Sequence, residues 1–422
     1  MTPSPAWLTL DDLHVWHPYT QHGLGAPVRP IVRASGAYLH DANGQRYLDA
    51  ISSWWVTLHG HAHPAIADAV AEQAHTLEQV IFAGFAHEPA SRLAAELVAH
   101  LPEGLSRVFY SDNGSTAVEV ALKMVLQLWW NRGEPRRLIV ALDNAYHGDT
   151  FGAMSTSGTG LFTSPFADHL FETVRLPDPT EGDTAGALER LLEERGREVA
   201  GVIVEPLLMG ASGMRIWSID TLRAIRVATR AHGIPLIADE VLTGFGRTGP
   251  LFASSDVGPD LICLSKGLTG GFLPLGVTAV REEIFEVFRS TDRHKTFFHG
   301  HSFTANPISC AAARASLALL DDACAERRRV IEAAHRAGLE RIASAPGVSH
   351  PRVLGTAAAF DLAGGGNYLD PIGARLTAFA FEAGVFLRPL GNVVYLLPPY
   401  CVTRAELEHA YDTIAQFLAT TG

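Results

Sequence analysis

Ile234-Pro-Leu-Ile-Ala-Asp-Glu-Val-Leu-Thr-Gly-Phe-Gly-Arg-Thr-Gly249, followed by Asp260-Leu-Ile-Cys-Leu-Ser-Lys-Gly-Leu-Thr-Gly-Gly271, decides how this chain folds. Each stretch opens with a short apolar run, and each run ends on a reactive group: Asp239-Glu240 after the first, Lys266 after the second. Short apolar runs bounded by turn-forming residues read as strands buried on both faces. The pattern recurs outward. Arg107 to Tyr110, Arg137 to Leu142, Gly201 to Glu205 and Val277 to Val280 read as further strands. Ser115 to about Trp130 and Ile219 to His232 read as helices between them. This alternation predicts an α/β fold with a mainly parallel sheet covered by helices. In such sheets ligands bind beyond the carboxyl ends of the strands.

From about Asn306 the pattern changes. An Ala-rich helix, Ser309 to Leu320, leads into a charged helix around Glu326 to Ala343. A strand near Gly355 to Leu362 and a hairpin-like segment, Val385 to Leu397, follow. Near the N-terminus, Ala37 to Leu48 reads as two strands about the Asn43-Gly44 turn and is expected to join the C-terminal portion. The expected organisation is a large domain, 66–306, and a smaller α+β domain built from 1–65 and 307–422.

The chain has 422 residues, enough for two sizeable cores, and is 47% hydrophobic and 18% charged, as ordinary globular proteins are. A formal charge of −12 argues against general binding to nucleic acid or membrane surfaces. Cys263, Cys310, Cys324 and Cys401 have no CxxC spacing and read as reduced thiols of a cytoplasmic protein. The N-terminal residues lack the charged and apolar regions of a leader, and no apolar run approaches the roughly 20 residues that span a bilayer.

Lysine is scarce: Lys123, Lys266 and Lys295 stand against thirty arginines. An amine can lose its proton and attack a carbonyl, and a guanidinium cannot. Lys266 at the end of a buried strand is therefore the candidate Schiff-base lysine. Asp239, at the end of another strand, suits a protonated pyridine nitrogen, although a helix cap also fits it. Ser111-Asp-Asn-Gly-Ser-Thr116 joins a strand to a helix, where free N–H groups can meet a phosphate, and the same residues make ordinary caps. Tyr146 follows a strand and can stack on a ring or fill a core. Glu205 reads as a supporting group behind the reacting atoms. His59-Gly-His-Ala-His63 and His299-Gly-His301 lack the spacing of a metal site, so no metal is expected.

Together, Asp239 to Gly249, Leu264-Ser-Lys-Gly267, Phe298 to Pro307, Ser111 to Lys123 and Tyr146-His-Gly-Asp-Thr150 resemble the class III pyridoxal-phosphate aminotransferases, in the family's order and over most of the chain. Trp16 to Thr20, Ser52-Ser-Trp-Trp55, His59 to Pro64, Leu387 to Gly391 and Tyr395 to Tyr400 resemble the family's biotin-pathway branch, which aminates 8-amino-7-oxononanoate. The resemblance implies fold type I, pyridoxal 5′-phosphate as cofactor, and active sites at a homodimer interface. It implies Lys266, Asp239 and Tyr19 as catalytic groups. Gly114, Ser115, Tyr146, Asp239 and Lys266 would bind the cofactor, helped by Ser302 across the dimer. Tyr19, Trp54, Trp55, Asp149 and Arg388 would bind substrate. His299-Gly-His-Ser-Phe303 departs from the His-Gly-Pro-Thr-Phe of many S-adenosylmethionine-using members, so the donor is S-adenosylmethionine or lysine. Another class III ω-aminotransferase or an aminomutase would share Lys266 and Asp239; a histidine-rich metal-binding protein is the non-enzyme alternative.

Overall fold

The apolar runs are strands in the computed structural model, which describes residues 5–25, 28–364, 366 and 368–421. Met1 to Ser4, on which part of the leader reading rests, lie outside those residues. In chain order the strands are β1 (Ile31–Ser35), β2 (Tyr38–Asp41), β3 (Arg46–Asp49), β4 (Leu105–Ser111), β5 (Leu138–Leu142), β6 (Thr173–Leu176), β7 (Val199–Val204), β8 (Leu208–Met209) and β9 (Arg215–Ile216). They continue as β10 (Leu236–Asp239), β11 (Leu261–Leu264), β12 (Gly276–Arg281), β13 (Val348–Leu354), β14 (Ala357–Leu362), β15 (Val385–Phe386) and β16 (Val393–Leu396).

Seven strands form the main sheet, in the order β4-β12-β11-β10-β7-β5-β6. β10 pairs in parallel with β7 and β11, and β5 with β6 and β7. β12 runs antiparallel to both β11 and β4. The segment from Ser265 to Leu275 holds only a 3-10 turn, Lys266–Thr269, too short for the helical crossover that a parallel return requires. The fold is therefore α/β with a mainly parallel sheet, as the alternation predicts.

The helix Gly114–Asn131 starts on a capping box between Asn113 and Thr116. It buries Ala117, Val118, Ala121, Leu122, Val125 and Leu128, spaced at helical intervals, in one cluster with the strands. Each such large aliphatic side chain contributes roughly 1.5–3 kcal/mol when fully buried.

The N-terminal hairpin forms as read, with Tyr38 opposite Leu48 and Leu39 opposite Tyr47. Its second strand, β3, pairs in parallel with β15, so segments from the two ends of the chain share one sheet. The hairpin expected over Val385 to Leu397 does not form. β15 joins β3, whereas β16 pairs with β14 in a separate sheet, and only an isolated Leu390–Val393 bridge links the segment. Pro389 has no N–H for a ladder and Gly391, at φ 63, turns the chain away. The final helix, Arg404–Thr421, buries Leu407, Ala410, Tyr411 and Ile414 against the helix Asp322–Ile342. A Cβ at Gly338 would run into the Tyr411 ring, so glycine is what lets these two helices approach.

Candidate active site

Strand ends at one edge of the main sheet converge. β10 delivers Asp239, β7 is followed by Glu205, β11 by Ser265 and Lys266, and β5 by the loop carrying Tyr146 and Asp149. Together with the start of the helix Gly114–Asn131, they line a cavity of about 570 Å³.

Lys266 sits in left-handed backbone, at φ 40, directly after β11. Its Nζ lies 4.6 Å from the centroid of the Trp55 ring. Burial pushes its amine down to about 8, against the opposing pull of Asp239 and Glu205, and the nearby Arg247 charge lowers it further. Such an amine reaches its neutral, nucleophilic form far closer to neutrality than an exposed lysine. Asp239 is buried; its Oδ2 is 2.6 Å from His147 Nδ1 and its Oδ1 accepts from the Val241 N–H at 3.1 Å. His147 Nε2 is buried without a partner among the described residues. Glu205 accepts from the backbone N–H groups of Tyr146 at 2.8 Å and Gly210 at 3.1 Å, and burial pushes its carboxyl up to about 7.

Gly114 and Ser115 are the first two residues of their helix, whose leading N–H groups have no intrahelical acceptor. A Cβ at Gly114 would stand 2.5 Å from Val241 Cγ1, and one at Gly148 would strike Ser115 Oγ. Ser115 Oγ accepts from the Asp149 N–H at 3.2 Å. Asp149 in turn receives the Tyr19 hydroxyl at 2.6 Å and the Tyr146 hydroxyl at 2.9 Å. Burial and the Asp149 bond push the Tyr19 phenol up to about 12, so it stays protonated.

The other wall stands on a left-handed turn. Ser52, Ser53, Trp54 and Trp55 have φ values of 52, 44, 74 and 75. None is glycine, and left-handed helical backbone costs roughly 1–2 kcal/mol per such residue. Trp55 is buried, its Nε1 donating to Tyr395 Oη at 3.0 Å. Trp54 is exposed to the cavity, and the Arg388 guanidinium stacks 4.7 Å from its ring centroid. The sequence reading missed two aromatics here. Phe162 packs edge-on to Tyr19 and Tyr146, and Tyr368 lies 4.9 Å from Phe162. Both sit in loops without periodicity, where the sequence carries no signal.

The expected site residues Lys266, Asp239, Tyr19, Gly114, Ser115, Tyr146, Trp54, Trp55, Asp149 and Arg388 all line this cavity. Ser302 does not line it; it is exposed, its carbonyl accepting from Gln79 Nε2 at 2.7 Å. The histidine motifs make other bonds: His59 with Ser316 at 3.2 Å, His61 with Asp49 at 2.8 Å, and His299 with Lys123 at 2.9 Å. Among the described residues no group of three or more metal-ligating side chains comes together.

The groups present fit pyridoxal phosphate. One cavity offers an amine of depressed basicity for an aldehyde, a buried carboxylate for a ring nitrogen, and a helix N-terminus cleared by glycines for a phosphate.

Comparison with known proteins agrees. The family described as Aminotransferase class-III matches residues 19–418. The adenosylmethionine-8-amino-7-oxononanoate aminotransferase of Synechococcus elongatus is 53% identical, over 96% of this chain and 98% of that one. The crystal structure of the enzyme so named from Methanocaldococcus jannaschii superposes with a TM-score of 0.94 at 33% identity, covering 98% of each chain. An amine transaminase from an uncultivated Pseudomonas species, solved in its PLP-bound form, gives a TM-score of 0.89 at 31% identity, covering 97% of this chain and 99% of that one. A match that takes in the sheet, the cavity and all but the ends of the chain settles the family: this is a class III aminotransferase, one of the enzymes that work with pyridoxal 5′-phosphate.

Proposed function

We propose that this enzyme transfers an amino group to 8-amino-7-oxononanoate, giving 7,8-diaminononanoate in biotin biosynthesis, with S-adenosylmethionine as donor. The observation that carries the reading is the wall formed by Trp54 and Arg388 in the cavity that holds Lys266. An aliphatic oxo-acid needs an apolar surface for its chain and a fixed cation for its terminal carboxylate. The names of the relatives support the substrate and the donor.

Pyridoxal phosphate, when bound, supplies the aldehyde that takes up the amino group and a ring that spreads the charge left by a departing proton. Gly114 and Ser115 would hold its phosphate at the helix N-terminus, and the partner subunit's Ser302 would add a hydroxyl. Tyr146 would pack against the ring. Asp239, oriented by His147, would keep the ring nitrogen protonated through its charge. Lys266 Nζ would hold the cofactor through its aldehyde carbon, and its lowered basicity suits it to hold and move a proton at Nζ as a base of moderate strength. Tyr19, held by Asp149, closes the substrate side with Trp54 and Trp55. Donor and acceptor use the same cavity in turn, which gives ping-pong kinetics.

We further read the enzyme as a cytoplasmic homodimer, with a large domain, 66–306, and a small domain from 1–65 and 307–422. The β3–β15 pairing supports grouping the two ends.

A coupled assay with 8-amino-7-oxononanoate, offering S-adenosylmethionine and lysine separately, tests the reading. Turnover with the first supports it. Turnover with lysine alone reassigns the donor, as the His299-Gly-His-Ser302 motif allows. Turnover only with ω-amino acids favours the second reading, a broader ω-aminotransferase like several of the superposed structures. Arg388→Ala is expected to raise KM for the oxo-acid about tenfold or more, since a charge-assisted contact is worth about 1.5–3 kcal/mol. An unchanged KM refutes the assignment of Arg388.

A further inference from the structure

The cavity carries more aromatic surface than the chain's own cations cover. Two of its rings already face one: the Arg388 guanidinium lies 4.7 Å from the Trp54 ring centroid, and Lys266 Nζ lies 4.6 Å from that of Trp55. A second positive charge brought to either ring would meet like-charge repulsion. The other rings are placed differently. Phe162 stands edge-on to Tyr19 with 5.7 Å between centroids, and Tyr368 edge-on to Phe162 with 4.9 Å. Among the described residues no lysine or arginine stacks on Tyr19, Phe162 or Tyr368. Asp149 adds a carboxylate on this side, held by the Tyr19 and Tyr146 hydroxyls. Phe162 precedes the 3-10 turn Ser164–His169, and Tyr368 lies between β14 and the helix Pro371–Glu382, so loops far apart in sequence meet here. Both rings are half-buried and both line the cavity. One part of the cavity therefore suits an anion, at Arg388. Another offers π surface beside a negative charge, with no cation in place. An aromatic face attracts a cation, and more strongly where water is excluded.

We propose that Phe162 and Tyr368 are specificity-determining residues that receive the positive charge of the amino donor, which on the donor reading given above is the sulfonium of S-adenosylmethionine. The oxo-acid cannot use these rings in the same way. Its ammonium is on the carbon beside the reacting carbonyl and stays next to the cofactor, and the rest of its chain is uncharged up to the terminal carboxylate. The sulfonium lies further along the donor from the reacting amine. Two unlike substrates thus share Lys266 and diverge beyond it: the oxo-acid extends to Arg388, and the sulfonium turns to the uncovered rings.

The donor half-reaction tests this without any oxo-acid present. Holoenzyme is mixed with donor alone, and the cofactor's absorbance gives the donor's apparent Kd. S-adenosylhomocysteine, which has a neutral thioether in place of the sulfonium, is the control. Wild type is expected to take S-adenosylmethionine roughly tenfold more tightly than the thioether. The double variant Phe162→Leu with Tyr368→Leu keeps apolar bulk and removes both π faces, so its preference is expected to shrink to within about twofold. A wild type without the preference, a double variant that retains it, or an equal loss for both ligands overturns the proposal. If the double variant does not fold, Tyr368→Leu alone decides, and a full preference there overturns the proposal as well. If lysine reacts with the wild type and S-adenosylmethionine does not, the donor reading fails. Lysine against its uncharged counterpart norleucine then gives the same contrast, and the subsite stands or falls on that.

Discussion

Glu205 is a carboxylic acid in the cavity wall whose titration the fold has moved into the physiological range. Loss of water raises it most, the nearby Asp239 charge adds to this, and His147 with the N–H donors of Tyr146 and Gly210 pulls it back to about 7. An acid raised above its unfolded value binds its proton more tightly in the folded state. Its contribution to stability is present at low pH and is lost as pH rises through about 7. Glu205→Gln cannot titrate. Whatever its offset, its Tm relative to wild type is expected to climb by roughly 2 °C or more between about pH 5 and about pH 7.5, which thermal melts across that range will check. A flat or falling difference means the carboxyl is ionised throughout. At this scale the site was largely legible. Lys266 and Asp239 end apolar strands, and a group at a strand's carboxyl end faces the ligand edge whatever the rest of the chain does. Arg247 stands in the loop that follows Asp239, but no local pattern shows its burial, because its acceptors are carbonyls of Trp55, Thr57 and Pro398, which are remote in sequence.

The helix Gly114–Asn131 works at both ends of the problem, its apolar face packing the sheet and its first turn facing the cavity. Asn113 accepts from the Thr116 N–H at 3.0 Å, and Thr116 Oγ1 accepts from the Asn113 N–H at 2.9 Å. Asn113→Ala removes the cap and is expected to cost about 1 kcal/mol of stability by denaturant unfolding. Because the same turn presents Gly114 and Ser115, cofactor affinity measured by titrating pyridoxal phosphate into cofactor-free protein should fall too. A variant with lowered stability and unchanged affinity would separate the cap from the phosphate site. Helices of this kind were readable from their period. The strand β13 was not, since Ser349-His350-Pro351-Arg352 breaks any alternation of polar and apolar residues. The segment from Val385 to Leu397 misled for a related reason: two β-rich runs flanking a Pro-Gly turn suggest a hairpin, and nothing local says that each has a stronger partner elsewhere.

Across the whole molecule, large apolar side chains remain exposed: Trp16 at 88%, Leu24 at 81%, Phe298 at 76% and Phe303 at 60%. Phe298 and Phe303 lie close in sequence to Ser302, the residue proposed above to reach a neighbouring subunit's phosphate site. Under the homodimer proposed above, the expected mass in solution is twice the 45.4 kDa chain mass. Sedimentation equilibrium checks this, and Ser302→Ala should weaken cofactor retention without dissociating the dimer. A monomer that retains full activity would remove the shared-site reading. The joining of β3 to β15 has a consequence for how the protein comes to life. A nascent chain leaving the ribosome displays the Tyr38–Asp49 hairpin well before its partner, because Leu48 must wait for Val385, far downstream in the sequence. During translation that hairpin carries an open edge, and the tryptophan turn just after it cannot make its bonds to Tyr395 and Leu397 until those residues have emerged.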